Sequence, residues 1–142
     1  MAISAGTEWG ECIMEQAKGF LIPLGRLLMS SLFIWAGVHK LLNPGGTAQY
    51  FTAAHIPAPE ISVWIAIVIE LVGGVAILVG FMTRWVGLIL AIFCLVTAFG
   101  VHLVNGDQGN MVHFYKNLVM AGGFLYVAVY GAGALSIDGQ KA

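Results

Sequence analysis

Apolar residues along this chain gather into four long runs, residues 20–42, 61–82, 85–104 and 114–133, with polar residues collected between them. Each run meets the roughly 20 apolar residues that a helix needs to cross a hydrocarbon core. The pattern therefore predicts four transmembrane helices. Residues 82–84 leave room only for a tight turn, which makes the second and third helices antiparallel neighbours, and no link is long enough to hold another domain. The expectation is an all-α fold, an integral membrane four-helix bundle over residues 20–133, preceded by an N-terminal cytoplasmic or interfacial segment over residues 1–19 and followed by a cytoplasmic tail over residues 134–142.

Two shorter stretches have patterns of their own. Trp9, Ile13, Ala17 and Phe20 recur at helical spacing while Glu8, Glu11, Glu15 and Lys18 fall largely elsewhere. That suits an N-terminal interfacial helix lying on the membrane surface, and a solvated leader almost as well. The first charges are acidic and no apolar core precedes a small-residue cleavage site, so the stretch does not read as a signal peptide. In the first outer loop, Asn43-Pro44-Gly45-Gly46 ends the first helix, residues 47–54 can form a short helix with Tyr50, Phe51 and Ala54 turned down, and Pro57 and Pro59 stop it. Such a helix would cover the outer mouth of the bundle, although an interfacial anchor is the simpler reading of Tyr50 alone.

Composition identifies the solvent. The 142 residues are 59% hydrophobic and only 9% charged, against about 25% charged in a typical soluble domain. Lipid is therefore the surroundings of most side chains. A net charge of −1 and the lack of Lys/Arg clusters exclude nucleic-acid binding. Lys18, Arg26, Arg84 and Lys141 fall on the side of the termini and Lys40 and Lys116 on the other, which favours cytoplasmic termini. His39, His55, His102 and His113 then lie at or near the outer side. Cys12 precedes the first span and Cys94 sits midway along the third, a separation unsuited to a disulfide, and Cys94 reads as packing.

Glu70 interrupts the second run near the membrane midplane, about 14 Å in from Ile61 at the helical rise. A carboxylate at that depth has to be neutral, paired, or turned to a wet cavity. Arg26, about 9 Å in from the opposite face, is the expected partner, and such a pair serves either a function or helix register. On the first helix Arg26, Ser30, Phe33, Gly37 and Lys40 form one stripe that faces protein. Matching inward surfaces are Ala66, Glu70, Gly73 and Gly74 on the second helix, Ala91, Cys94, Ala98 and His102 on the third, and Asn117, Ala121, Phe124 and Ala128 on the fourth. Small residues at this spacing are also ordinary membrane packing, and Lys40 and Lys116 at helix ends also suit snorkelling to headgroups. His102 and Asn117 nevertheless face inward near the same end as these lysines, the arrangement expected of a shared polar pocket. A metal or haem is not expected, because His39 points about 220° around the helix from Arg26.

The order of these residues is itself informative. Arg26, then GVHKLLNP with Gly37, Lys40 and Pro44, then Phe51 and IPAP, ELVGG from Glu70 to Gly74, Gly80 and Arg84, His102, FYKN with Lys116 and Asn117, and the closing GAGALSID together resemble the DoxX family of small bacterial membrane proteins. The likeness extends over nearly the whole chain after residue 20. It implies a multi-pass four-helix protein of the bacterial inner membrane. Relatives of the fold serve as subunits of thiosulfate:quinone oxidoreductases or sit in complexes linked to thiol, quinone and oxidative-stress chemistry. The resemblance assigns the family's polar pattern to Arg26, Lys40, Glu70, His102, Lys116 and Asn117, and leaves the acidic residues 1–18 outside it as a stretch able to dock a partner.

A quinone headgroup requires hydrogen-bond donors to its carbonyl oxygens and a proton route inside an apolar pocket. His102, Lys40, Lys116 and Asn117 are the ligand-binding candidates, and Glu70 with Arg26 is the candidate proton carrier. The chain has no flavin or dinucleotide glycine fingerprint, no cysteine cluster and no supported haem pair, so no intrinsic cofactor is expected and electrons would come from a partner subunit. Two other readings compete with a quinone-interacting oxidoreductase subunit: a membrane scaffold anchoring a soluble enzyme, and a small oligomeric transporter or channel using Glu70 and Arg26. Each operates in the lipid bilayer with a protein partner or as a homo-oligomer.

Overall fold

The computed structural model describes residues 2–133 and 135–140, and the side chains of residues 9–133 and 135–139. Among them the secondary structure is helical throughout. The first helix, α1 (Ala2–Leu42), runs unbroken through Pro23. The stretch before residue 20 is thus helical, but it is continuous with the first apolar run and not a separate surface helix. Single glycines such as Gly10 and Gly19 cost a helix only about 1 kcal/mol each, too little to end it. Its apolar stretch Trp9–Leu42 covers 34 residues, about 50 Å at the helical rise and longer than a core of ~30 Å requires.

The second helix, α2 (Pro44–Ala53), begins directly after Asn43, three residues earlier than the glycine pair suggests. Asn43 is an N-cap: its Oδ1 accepts from Gly46 N at 3.0 Å, and Pro44 follows at the first helical position, where its missing N–H costs nothing. Next comes α3 (Pro59–Val79), which ends at Gly80 with φ +71, the left-handed conformation that glycine adopts without strain. The turn that follows occupies Gly80 to Met82, and α4 (Thr83–Thr97) begins earlier than the apolar run alone suggests. The cause is long-range: Asp138 accepts from Met82 N at 2.9 Å, from Thr83 N at 2.8 Å and from Thr83 Oγ1 at 2.6 Å, capping α4 from the far end of the chain. Ile137 N and Asp138 N also donate to Val79 O and Gly80 O. The described part of the C-terminal stretch is therefore docked on the bundle, not trailing from it.

Beyond Thr97 the helix continues through a π-helical turn (Ala98–His102) into a short α5 (Leu103–Asn105). Asp107 then caps α6 (Gln108–Tyr130) by accepting from Asn110 N at 2.8 Å. Among the described residues three helical stretches, Trp9–Leu42, Pro59–Val79 and Thr83–Asn105, are long and apolar enough to cross a membrane. Helix α6 matches them in length, but Asn110, His113, Lys116 and Asn117 make its first turns polar.

The long helices pair α1 with α3 and α4 with α6, and each pair packs more extensively within itself than on the other. Glycines bring the backbones together. A Cβ on Gly37 would fall 2.7 Å from Leu71 Cγ, and one on Gly87 would fall 3.0 Å from the carbonyl oxygen of Phe124. Between the pairs sits a core of Phe33, Ile77, Leu90, Ala91, Cys94, Ala121 and Phe124, with the Phe33 and Phe124 rings edge to face at 5.2 Å. Both Cys12 and Cys94 are free thiols. The inward stripe of α1 is buried from Arg26 through Gly37, whereas Leu28, Val72, Ile92 and Val119 present apolar side chains outward. An apolar exterior around a partly polar interior is the arrangement a lipid solvent selects.

Candidate functional site

Two features of helix geometry decide where the buried charges go. Side chains on an α-helix lean toward its N-terminus, and α1 and α3 are antiparallel. Lys40, near the C-terminal end of α1, therefore leans down into the bundle, while Glu70 leans up toward it. Lys40 Nζ donates to Glu70 Oε1 at 2.9 Å and Oε2 at 2.8 Å. The Glu70 side chain is only 8% exposed and that of Lys40 22%, so this is a substantially buried ion pair.

The expected pairing of Glu70 with Arg26 is not made. Arg26 leans the other way, toward the level of Gly80, where a Cβ would meet its guanidinium at 2.1 Å. There its Nη2 donates to Leu135 O at 2.6 Å. Gly80 lies about 15 Å along the chain from Glu70 at the helical rise, beyond the span of two facing side chains. Arg26 thus fastens the C-terminal stretch to α1 at the opposite end of the bundle.

Above Glu70 the two helix pairs diverge around a cavity of about 790 Å³, within the range of small-molecule sites. Lys40, Glu70, His102, His113, Lys116 and Asn117 contribute its polar lining. Phe33, Ile69, Phe93 and Met120 supply apolar floor and wall. Tyr50 and Phe51 of α2 line the mouth, followed by His55, Ile56 and Pro57. His55 and Ala58 both hold positive φ without being glycine (58° and 45°), so this rim carries backbone strain. Ile65, Ile89, Ile92 and Val96 also line the cavity while standing more than half exposed on the outer surface, so its apolar wall continues to the face that lipid would cover.

Two hydrogen-bonded groups meet at a histidine ring contact beside the cavity. Asp107 Oδ2 accepts from Asn110 Nδ2 at 2.7 Å, Asn110 Oδ1 meets His102 Nδ1 at 3.1 Å, and the His102 and His113 ring centroids are 5.2 Å apart. His113 Nδ1 in turn accepts from Lys116 Nζ at 3.1 Å. Asn117 Nδ2 is bound to His113 O at 3.0 Å. The π-helical turn carries His102 at its end, and such local re-registration is often found where a helix presents a functional side chain.

Of the residues expected in a site, Lys40, Glu70, His102, Lys116 and Asn117 all line this one cavity, and Arg26 does not. His39 lies outside its lining, with its ring 4.4 Å from that of Trp35. The sequence reading missed His113 and Asn110. Their signal was the helical spacing of Asn110, His113, Lys116 and Asn117 on α6, which puts them on adjoining positions of one surface. Among the described residues no group of three or more His, Cys, Asp and Glu side chains is placed to hold a metal ion.

The chain as a whole is similar to known proteins. The family model for DoxX matches residues 21–103. The inner membrane protein YqjF of Escherichia coli is 41% identical over 125 residues, covering 88% of this chain and 95% of that protein. The inner membrane protein YphA of the same organism is 35% identical, covering 86% and 91%. A Bacillus subtilis protein named "Putative oxidoreductase CatD" is 28% identical, covering 80% of this chain and 81% of its own length. No solved structure matches.

Proposed function

Because this chain belongs to the DoxX family, we propose that it is an inner-membrane protein whose cavity binds the headgroup of a quinone-class amphiphile, as the membrane subunit of an oxidoreductase system. The observation that carries this reading is the cavity itself. It joins charged and imidazole groups to an apolar wall that reaches the outer apolar surface, which matches a ligand with a polar ring and a hydrocarbon tail. The name of the Bacillus relative adds weight to the oxidoreductase part.

In this reading all four long helices span the membrane, with both termini cytoplasmic and the cavity in the outer leaflet. The first turns of α6 are polar because His113, Lys116 and Asn117 line the cavity and Asn110 bonds His102, not because they lie outside the bilayer. Lys116 and Lys40 present N–H groups to headgroup oxygens, and Glu70, held by Lys40, accepts or returns a proton at its carboxylate. Electrons are delivered by a partner subunit. The transporter reading loses the Glu70 and Arg26 pair on which it stood.

The test is extraction of quinone from protein purified out of native membranes. Wild type and His39→Ala should retain it, whereas Lys40→Ala and Lys116→Ala should each lose about tenfold, the worth of one hydrogen bond. Equal retention in all four proteins, or none in the wild type, would sink the proposal.

A further inference from the structure

The chain Asp107, Asn110, His102 fixes more than the position of the imidazole. An ionised carboxylate only accepts hydrogen bonds, so the contact of 2.7 Å between Asp107 Oδ2 and the Asn110 side chain sets which end of that amide faces it: the NH2. The same carboxylate accepts from Asn110 N through its other oxygen, and these two bonds hold the Asp107 carboxyl below the usual aspartate range. With its NH2 committed, Asn110 offers only its carbonyl oxygen to His102 Nδ1 at 3.1 Å. A carbonyl oxygen cannot donate, so Nδ1 must carry the proton. The neutral ring then holds a bare lone pair on Nε2, which among the described residues takes no hydrogen bond, and His102 lines the cavity.

We infer that Asp107 and Asn110 are positioning residues that hold His102 as a hydrogen-bond acceptor toward the cavity, so that the site selects a headgroup bearing a hydroxyl, the hydroquinone form, over the quinone form. The inference rests on the quinone reading above and deepens it. Lysine ammonium groups at Lys40 and Lys116 donate and cannot accept. They serve an oxygen acceptor at one end of a ring, while His102 Nε2 serves an O–H donor at the other. A quinone has two carbonyl acceptors and leaves the lone pair of Nε2 facing an oxygen lone pair. A hydroquinone can donate to Nε2 and still accept from a lysine. Neither Asp107 nor Asn110 lines the cavity, so both act only through the ring.

The isosteric variant Asp107→Asn tests this directly. Its side-chain oxygen keeps the cap on Asn110 N, but its NH2 replaces the oxygen that faced the Asn110 amide. That amide must then turn over, present its NH2 to Nδ1, and move the His102 proton to Nε2. The full-length protein, labelled with 15N-histidine in lipid nanodiscs and with His102 assigned by His102→Ala, should show the Nδ1–H tautomer in the wild type and the Nε2–H tautomer in Asp107→Asn. The wild type should bind decyl-hydroquinone about tenfold more tightly than decyl-quinone, one hydrogen bond's worth, and Asp107→Asn should lose or reverse that preference. Should Asp107→Asn fail to fold, Asn110→Leu should abolish the tautomer preference and the ligand preference together. An Nε2–H tautomer in the wild type would overturn the inference, and so would binding of both probes without preference. Failure to bind either probe would overturn the quinone reading and this inference with it.

Discussion

Removing Lys40 alone from the Lys40 and Glu70 pair should cost more than removing both partners. Lys40→Met leaves a carboxylate that is 6% exposed as a whole residue, with both oxygens stripped of the donors they now hold at 2.9 and 2.8 Å. Breaking a buried pair on one side typically costs about 3 to 5 kcal/mol. The Lys40 side chain is 22% exposed and a polar cavity adjoins it, which places the expected loss near the lower figure, about 3 kcal/mol. Glu70→Gln should cost less, about 1 to 2 kcal/mol, because the long lysine can swing toward the outer surface. The double variant leaves neither charge stranded and should be less destabilised than Lys40→Met alone, giving a coupling energy of at least about 1 kcal/mol. Reversible unfolding in mixed micelles, read as a full double-mutant cycle, measures this. Additivity within about 0.5 kcal/mol would refute direct pairing, and coupling of Glu70→Gln to Arg26→Met in its place would refute the register of α1 against α3.

Asp138→Ala should destabilise by about 1 to 2 kcal/mol, because it removes the cap on α4, and thermal unfolding in detergent should show the loss with Asp138→Asn less affected. Gly80→Ala should cost at least about 1 kcal/mol from its positive φ alone, and a Cβ there meets Arg26 and Ser136 at 2.1 and 2.3 Å, so limited proteolysis should find residues 135–139 released. Asp107 has its carboxyl pKa lowered by the Asn110 backbone and side-chain hydrogen bonds. A lowered folded-state value means this cap is fully present above the ordinary aspartate range and is lost as pH falls through the lower one. The protection of the Asn110 and Met111 amides, relative to the intrinsic exchange rate at the same pH, should therefore fall on acidification, and that fall should vanish in Asp107→Ala. Cysteines introduced at Gly45 and Gly139 should label from opposite sides of the membrane if four helices span it.

The apolar periodicity made the helices, their order and their inward faces readable, because burial in a small bundle leaves a stripe of small residues wherever backbones approach. Gly37, Gly73, Gly74 and Ala91 are on that stripe and are buried. What failed was the direction of the long side chains. Depth counted along helix axes put Arg26 within reach of Glu70, but the lean of side chains toward the N-terminus carries them apart by nearly two side-chain lengths and brings Lys40 and Glu70 together. That rule needs no structure and would have chosen the right lysine. The Asp138 cap was legible only as an unexplained acidic residue after GAGALSI, since its partners lie 55 and 56 positions away in sequence. The helical start at Pro44 was missed because the glycines after it outweighed the Asn-Pro capping signal. His113 and Asn110 escaped notice because each is a common residue at a polar helix end, and only the proximity of α6 to the π-helical turn joins them to His102.

Photolabelling with a ring-azido quinone in proteoliposomes addresses the central claim most directly. The account predicts that label maps to peptides lining the cavity, around Ile65 to Glu70 and His113 to Met120, that unlabelled decyl-hydroquinone competes it away, and that Lys40→Ala and Lys116→Ala reduce it while His39→Ala does not. Label spread over the outward apolar positions Leu27, Leu28, Val72 and Val119, insensitive to competitor and to all three substitutions, would contradict it.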